Sequence, residues 1–130
     1  MEFLNRYKSV VHWLPRLSLA SIFLYHGFTK FPAASMMADM MGMPVFMVYM
    51  LAMMEILIGV FIILGAMGRE ILTKVAGLLI AVIMLGAIAM EHWPQWSFMA
   101  SEAKPMGGME FQLFILTAGL YFLVKGNDVK

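Results

Sequence analysis

From Val45 to Met67 the chain carries one charged side chain, Glu55. A helix over this run, at 1.5 Å per residue, is long enough to cross the hydrocarbon core of a bilayer. Three further apolar runs follow the same logic: Trp13–Phe31, Ile71–Met90 and Phe111–Val124, the last of which starts a turn earlier, near Gly108. The runs do not alternate polar and apolar residues, so they are not strands of a membrane barrel. Each reads as a helix, because no lipid-exposed backbone group can stay unpaired. Composition agrees: 62% of the 130 residues are hydrophobic and 13% are charged, against about half and about a quarter in soluble domains. The expected fold is an all-α integral membrane protein. It is an antiparallel bundle of four transmembrane helices at about 13–31, 45–67, 71–90 and 108–125, forming a single domain over residues 1–130.

The basic residues set the expected orientation. With the N-terminus inside, Arg6, Lys8, Arg16, Arg69, Lys74, Lys125 and Lys130 lie on the inner side and Lys30 and Lys104 on the outer side. Both termini are therefore expected in the cytoplasm, with the protein multi-pass in the cell inner membrane. Trp93 and Trp96 then fall at the outer interface and Trp13 at the inner one, where indoles are favoured. The first ten residues are polar and mixed, and the first helix is expected to be retained rather than cleaved as a signal. Gly68-Arg69-Glu70 makes a tight turn, whereas Pro32–Pro44 and Trp93–Gly107 are longer outer connections, the first of them a loop or itself a short interfacial helix over the pocket. Glycines 27, 59, 65, 77, 86 and 119 are expected to let helices approach closely.

This topology gathers polar side chains in the outer half: His26 and Lys30 from helix 1, Glu55 from the middle of helix 2, Glu91 and His92 from the end of helix 3, and Glu110 with Gln112 from the start of helix 4. An ionisable residue inside a membrane is a functional candidate by default. These six titratable groups are the candidate pocket for a small ligand. His26 and Lys30 offer a hydrogen-bond donor and a cation, and Glu55 offers a proton acceptor. The structural alternative is that Glu55 bonds internally to His26, Lys30 or helix 4. Arg16 and Lys74, each within about a turn of the cytoplasm, are expected to snorkel to water.

Several chemistries have little sequence support. A net charge of +1 gives no reason to expect nucleic acid, and zero cysteines remove thiol redox chemistry, disulfides and iron–sulfur ligation. No Glu-x-x-His pair marks a di-iron bundle, and His26 and His92 differ in depth, which disfavours a bis-histidine haem. No metal is assigned. Met36–Met54 holds nine of the sixteen methionines. Thioethers can bind Cu(I), but methionine is also a flexible apolar filler.

The order of motifs resembles the DoxX family. Arg16, Phe23, His26-Gly27 and Lys30 are similar to its first-helix signature, and Glu55, Gly59 and Gly65 to its second-helix pattern. Ala87-Ile88 with His92 resembles the end of its third helix, and Gly107-Gly108-Met109-Glu110 its start of helix 4. The methionine-rich first loop is not part of that pattern, and Gly126-Asn127-Asp128 is a partial form of its C-terminal ending. The resemblance implies a four-helix inner-membrane protein. In that family some members are membrane subunits of thiosulfate:quinone oxidoreductase and others are linked to oxidative-stress complexes. The expected function is a redox-linked, quinone-associated membrane subunit. The alternatives are a non-catalytic scaffold or a carrier of a small anion. Expected partners are the lipid bilayer and either a second protein subunit or further copies of the chain.

Overall fold

The computed structural model describes residues 2–128; Lys130, counted above among the inner charges, lies outside them. After a 3-10 segment Glu2–Tyr7 and a single helical turn Lys8–Val11 come four helices: α1 Trp13–Met41, α2 Val45–Ala66, α3 Glu70–Ala87 and α4 Glu110–Lys125. A π-helical turn, Ile88–His92, prolongs α3. There are no strands among the described residues. Two helical stretches, Val45–Ala66 and Glu70–His92, are long and apolar enough to cross a membrane.

The first helix departs from the expected one. It does not end at Phe31 but continues through Pro32 to Met41, so the outer loop expected at Pro32–Pro44 shrinks to a short turn. Pro32 removes only the bond that its N–H would have given to the carbonyl four residues earlier, and apolar helices tolerate that loss when neighbouring helices support them. Here the support is packing: Ala34 and Ala38, one turn apart, are buried against Val48 of α2. The stop signal is Gly42, which adopts the left-handed conformation (φ 62°) that glycine accepts without strain.

The interior is unusual in what it holds. Arg16 and Thr73 are fully buried at 0% exposure, while Phe114 and Val124 are 72% and 77% exposed. Several polar groups are buried among an apolar core while many large apolar side chains face outward, which is the arrangement a lipid solvent favours. Close approach is supplied by glycine. Cβ atoms added at Gly27 and Gly59 would run into the facing backbone or side chains of α2 and α1 respectively, and one at Gly77 would sit 2.5 Å from the Leu123 nitrogen of α4. Gly86 is different: nothing lies within 4 Å of an added Cβ. The main core is centred on Phe23, Ile58, Ile62, Ile80 and Phe122 and draws on all four helices.

The loop between α3 and α4 is tied down through the first turn of α4. Carbonyls of Ser97, Gln95 and Trp96 accept the N–H groups of Gly108, Met109 and Glu110 at 2.7, 2.9 and 3.1 Å. These are donors that a helix start leaves without partners. The loop is thereby a fixed cap over the end of the bundle remote from the termini.

Candidate functional site

The apolar helix α2 carries its one carboxylate inward. Lys30 Nζ donates to Glu55 Oε2 at 2.6 Å and reaches the His26 carbonyl at 3.4 Å. The two residues are 7% and 5% exposed. Lys30 sits one turn after His26 on α1, and Gly27 lets α1 lie against Ala52 and Ile56 of α2, which brings the two charges together. Gly27 is thus a packing contact. The internal bond weighed for Glu55 is the arrangement observed, and the ammonium and carboxylate neutralise each other where neither could stay unpaired in an apolar interior.

Beside this pair lies a cavity of about 580 Å³. His26, Lys30, Glu55, Glu91 and His92 all line it, as does Gln112, and most of the remaining wall is apolar, with nine methionines including Met37, Met41, Met47, Met50 and Met54. Met47, Met50 and Met54 follow a helical i, i+3, i+7 spacing on α2, so they share a face. Gly86 opens onto the same space. The cavity is therefore amphiphilic: a methionine-rich apolar body with polar groups contributed by all four helices.

The polar groups are not equally available. His92 is 5% exposed, and its Nδ1 lies 2.8 Å from the Gly107 carbonyl. That carbonyl can only accept, so Nδ1 donates, and a neutral ring then presents Nε2 as an acceptor. The buried Oε1 of Gln112 has no hydrogen-bond partner among the described residues. Glu110 does not join the cavity. Its Oε1 accepts the Phe98 N–H at 3.0 Å, and it lines an adjoining depression with Phe98 and Gly108, which shares Met106, Phe111 and Gln112 with the cavity. The expected six-residue pocket is thus reduced to five, because Glu110 fastens the loop cap. Among the described residues, no three or more His, Asp or Glu side chains gather in a group that could hold a metal.

A second polar cluster, at the opposite end, was not expected. Arg16 does not snorkel. Its Nη1 donates to the Ile62 carbonyl at 2.9 Å and to Thr73 Oγ1 at 3.0 Å, and its Nη2 donates to Asn127 Oδ1 at 3.0 Å and the Gly126 carbonyl at 3.3 Å. The guanidinium also stacks 4.6 Å from the Phe122 ring centroid. Asn127 Nδ2 in turn donates to the Gly65 carbonyl at 2.9 Å. Of the four acceptors, the two carbonyls lie near the C-terminal end of α2 (Ile62) and just past that of α4 (Gly126), where helix dipoles leave partial negative charge. Two helix C-terminal ends together with the Thr73 and Asn127 side chains therefore take the place of a carboxylate counter-ion. The sequence signals were Thr73 and the Gly126-Asn127 ending, whose link to Arg16 spans 110 residues.

The fold and site define a small helical membrane protein with two buried polar clusters and an amphiphilic cavity beside one of them. Residues 12–93 match the DoxX family model, and the chain belongs to the DoxX family. It is similar to the protein named "Putative oxidoreductase CatD" of Bacillus subtilis (strain 168), with 27% identity over 117 residues, covering 88% of this chain and 78% of that protein. No solved structure matches the chain.

Proposed function

We propose that this protein is a redox-associated membrane subunit that holds a quinone-type molecule in the methionine-lined cavity. One observation carries the reading: the cavity of about 580 Å³ is apolar over most of its wall and carries a few polar side chains from all four helices, which is the form required by a ligand with an apolar body and a hydrogen-bonding head. The relative named as an oxidoreductase supports a redox role. Because Lys30 and Glu55 already satisfy each other, the head group meets His26, Glu91, His92 and Gln112 rather than that ion pair. Oxidation of a bound quinol releases two protons and two electrons. His26 and Glu91 are placed to take protons. The chain has no cysteine to relay electrons, so a partner subunit receives them.

In this reading all four helices span the cell inner membrane with both termini in the cytoplasm. α1, at 29 residues, is about 43 Å long and exceeds the hydrocarbon thickness, so its Met-rich end stands at the outer interface. Non-catalytic anchoring of a complex is the second reading. It is favoured by the closed Lys30–Glu55 pair, which is a sufficient structural use for both residues.

The test is quinone binding by the full chain in nanodiscs, with mass spectrometry of molecules extracted from the purified protein. Wild type is expected to co-purify with and rebind a quinone, and Gly86→Phe, which projects into open space, is expected to lose at least tenfold in affinity while remaining folded. Absence of binding by folded wild type, or equal affinity in the filled variant, would overturn the assignment in favour of anchoring.

A further inference from the structure

We infer that the cavity is loaded from the side, through an opening between α2 and α3 that faces the hydrocarbon of the bilayer. Its ligand is then a lipid-dissolved molecule whose apolar tail stays in the membrane while its head is held inside. This rests on the quinone reading above and adds to it the class of ligand and its way in.

The helices are not packed evenly around the cavity. α1 lies along α2, and α3 lies along α4. Glycine brings each of these pairs close: Gly27 and Gly59 between α1 and α2, Gly77 and Gly119 between α3 and α4. Between α2 and α3 the glycine contact is Gly65 against Thr73, beside the turn that joins the two helices. Toward their far ends that closeness is lost. Gly86 lines the cavity, yet a Cβ added there meets nothing within 4 Å. Met50, Val82 and Met90 also line the cavity, and they are 58%, 54% and 58% exposed. A residue that touches the interior space and the surroundings at once stands at a mouth. With Met47 and Gly86, these three form its rim on α2 and α3.

What covers this mouth follows from where it lies. Val45–Ala66 and Glu70–His92 are the two stretches long and apolar enough to cross a membrane, so the seam between them is at hydrocarbon depth. At 1.5 Å per residue, Met50 and Gly86 are about 8–9 Å from the Val45 and His92 ends, and Val82 is about 15 Å in. None of the five rim residues has a polar side chain, so lipid covers the rim without leaving a side chain unpaired. The other directions are less suited to an apolar tail. The loop tied to the first turn of α4 covers the outer end, and the Arg16 network closes the inner end. On the side of α1 the wall includes His26, an exposed residue whose ring a tail would have to desolvate.

A tail that lies in lipid both before and after binding gains nothing from the event, because lipid chains are as apolar as the protein wall. Affinity referred to the ligand's mole fraction in the bilayer is therefore independent of tail length. A closed cavity of about 580 Å³ would instead reject a tail too long to fold inside it.

The experiment uses the full chain in nanodiscs and two benzoquinones with the same head, one with a decyl tail and one with a tail of many prenyl units. Wild type is expected to bind both with mole-fraction affinities within threefold of each other. A decyl compound with a diazirine in the tail close to the head is expected, on irradiation, to label Met47, Met50, Val82 or Met90, as located by peptide mass spectrometry. Val82→Trp, at an exposed rim position, is expected to slow association of either compound at least fivefold and to leave the amount bound at equilibrium within twofold. Binding of the long-tailed compound more than threefold weaker, label confined to α1, α4 or residues 93–107, or an unchanged association rate in folded Val82→Trp would each overturn loading between α2 and α3 while leaving the quinone site standing. If wild type binds neither compound, the quinone reading fails and this inference fails with it. The tail comparison and the labelling need no variant, so a poorly folded Val82→Trp does not protect the idea.

Discussion

Removing the Arg16 guanidinium should unfasten the bundle at the end where its chain termini lie. Arg16→Met keeps an unbranched side chain of similar reach and deletes four hydrogen bonds, three of them at 2.9–3.0 Å and one at 3.3 Å. Polar contacts between membrane helices average about 0.6 kcal/mol and reach about 1.7 kcal/mol. Three well-formed bonds therefore set a scale of about 2–5 kcal/mol. The upper part is trimmed because the charge no longer has to be held in an apolar interior. The expected loss is about 2–4 kcal/mol, measured as reversible unfolding in bicelles by steric trapping or detergent titration. Asn127→Leu removes one of the same bonds, and with it the Thr73 hydroxyl's bond to Asn127 Oδ1 and the amide's bond to the Gly65 carbonyl. The double variant should consequently lose less than the sum of the two singles, by about 1 kcal/mol, as residues in one network do. Amide exchange should rise first from Phe122 onward, since Arg16 holds that helix end. A loss in Arg16→Met below about 0.5 kcal/mol, or strict additivity with Asn127→Leu, would refute the idea that a guanidinium bridges the two helix ends.

Three other expectations follow from the same packing. Lys30→Met leaves the Glu55 carboxylate buried without its cation and should cost about 3–5 kcal/mol, whereas Lys30→Met with Glu55→Leu should recover most of that; a double variant as unstable as the single would sink this account. Gly77→Ala should destabilise by about 1–3 kcal/mol through overpacking, because its Cβ would sit 2.5 Å from the Leu123 nitrogen and 2.6 Å from the Gly119 carbonyl oxygen. Gly86→Ala, facing open space, should instead be stabilising by up to about 1 kcal/mol from helix propensity, and melting curves of the pair decide between them. The wild-type chain has no cysteine, so single cysteines at Ser101 and Asp128 report topology without background. The proposed four-span arrangement requires that they react with impermeant maleimide from opposite sides of the membrane, and reaction from the same side would reject it.

How much could be read in the sequence depended on whether the relevant physics was local. The run from Val45 to Met67 becomes α2 almost residue for residue, ending at Ala66, because Pro44, Gly68 and uninterrupted apolarity are all local signals. Phe31 was a misleading boundary because Pro32 is a helix breaker judged by water rules. Within apolar packing, the contact of Ala34 and Ala38 with Val48 outweighs one missing hydrogen bond, and only Gly42 ends the helix. The gathering of His26, Lys30, Glu55, Glu91 and His92 followed from counting turns along antiparallel helices. Their pairing did not, because helix rotation is set by glycine contacts such as Gly27 with Ala52, which no single stretch encodes. Glu110 shows the same limit: its position near the pocket was legible, but its bond to the Phe98 N–H depends on how the loop folds back. Arg16 was the largest miss. Snorkelling is the cheapest fate for an isolated arginine near a helix end, and its true partners lie on α2, α3 and the segment after α4.

The two polar clusters stand in different relations to the space between the helices. Around Arg16 every acceptor is a helix end or a neighbouring side chain, the glycine contacts are tight, and the core is filled. Around Lys30 and Glu55 the charges cancel, yet the neighbouring volume stays open, with Gly86 providing no side chain. If both clusters only stabilised helix packing, the second end would be expected to close as the first does, since an unfilled volume forfeits dispersion contacts. Methionines flexible enough to collapse into it surround that volume on several sides. A cavity kept open in such company, with a few polar groups in its wall, is better explained by an occupant than by inefficient packing. The comparison between Gly86→Ala and Gly86→Phe separates these two explanations. If filling the cavity with phenylalanine stabilises the protein and changes nothing else, the open end is a packing defect and the binding assignment falls. If it leaves stability unchanged or higher but abolishes ligand retention, the cavity is the site.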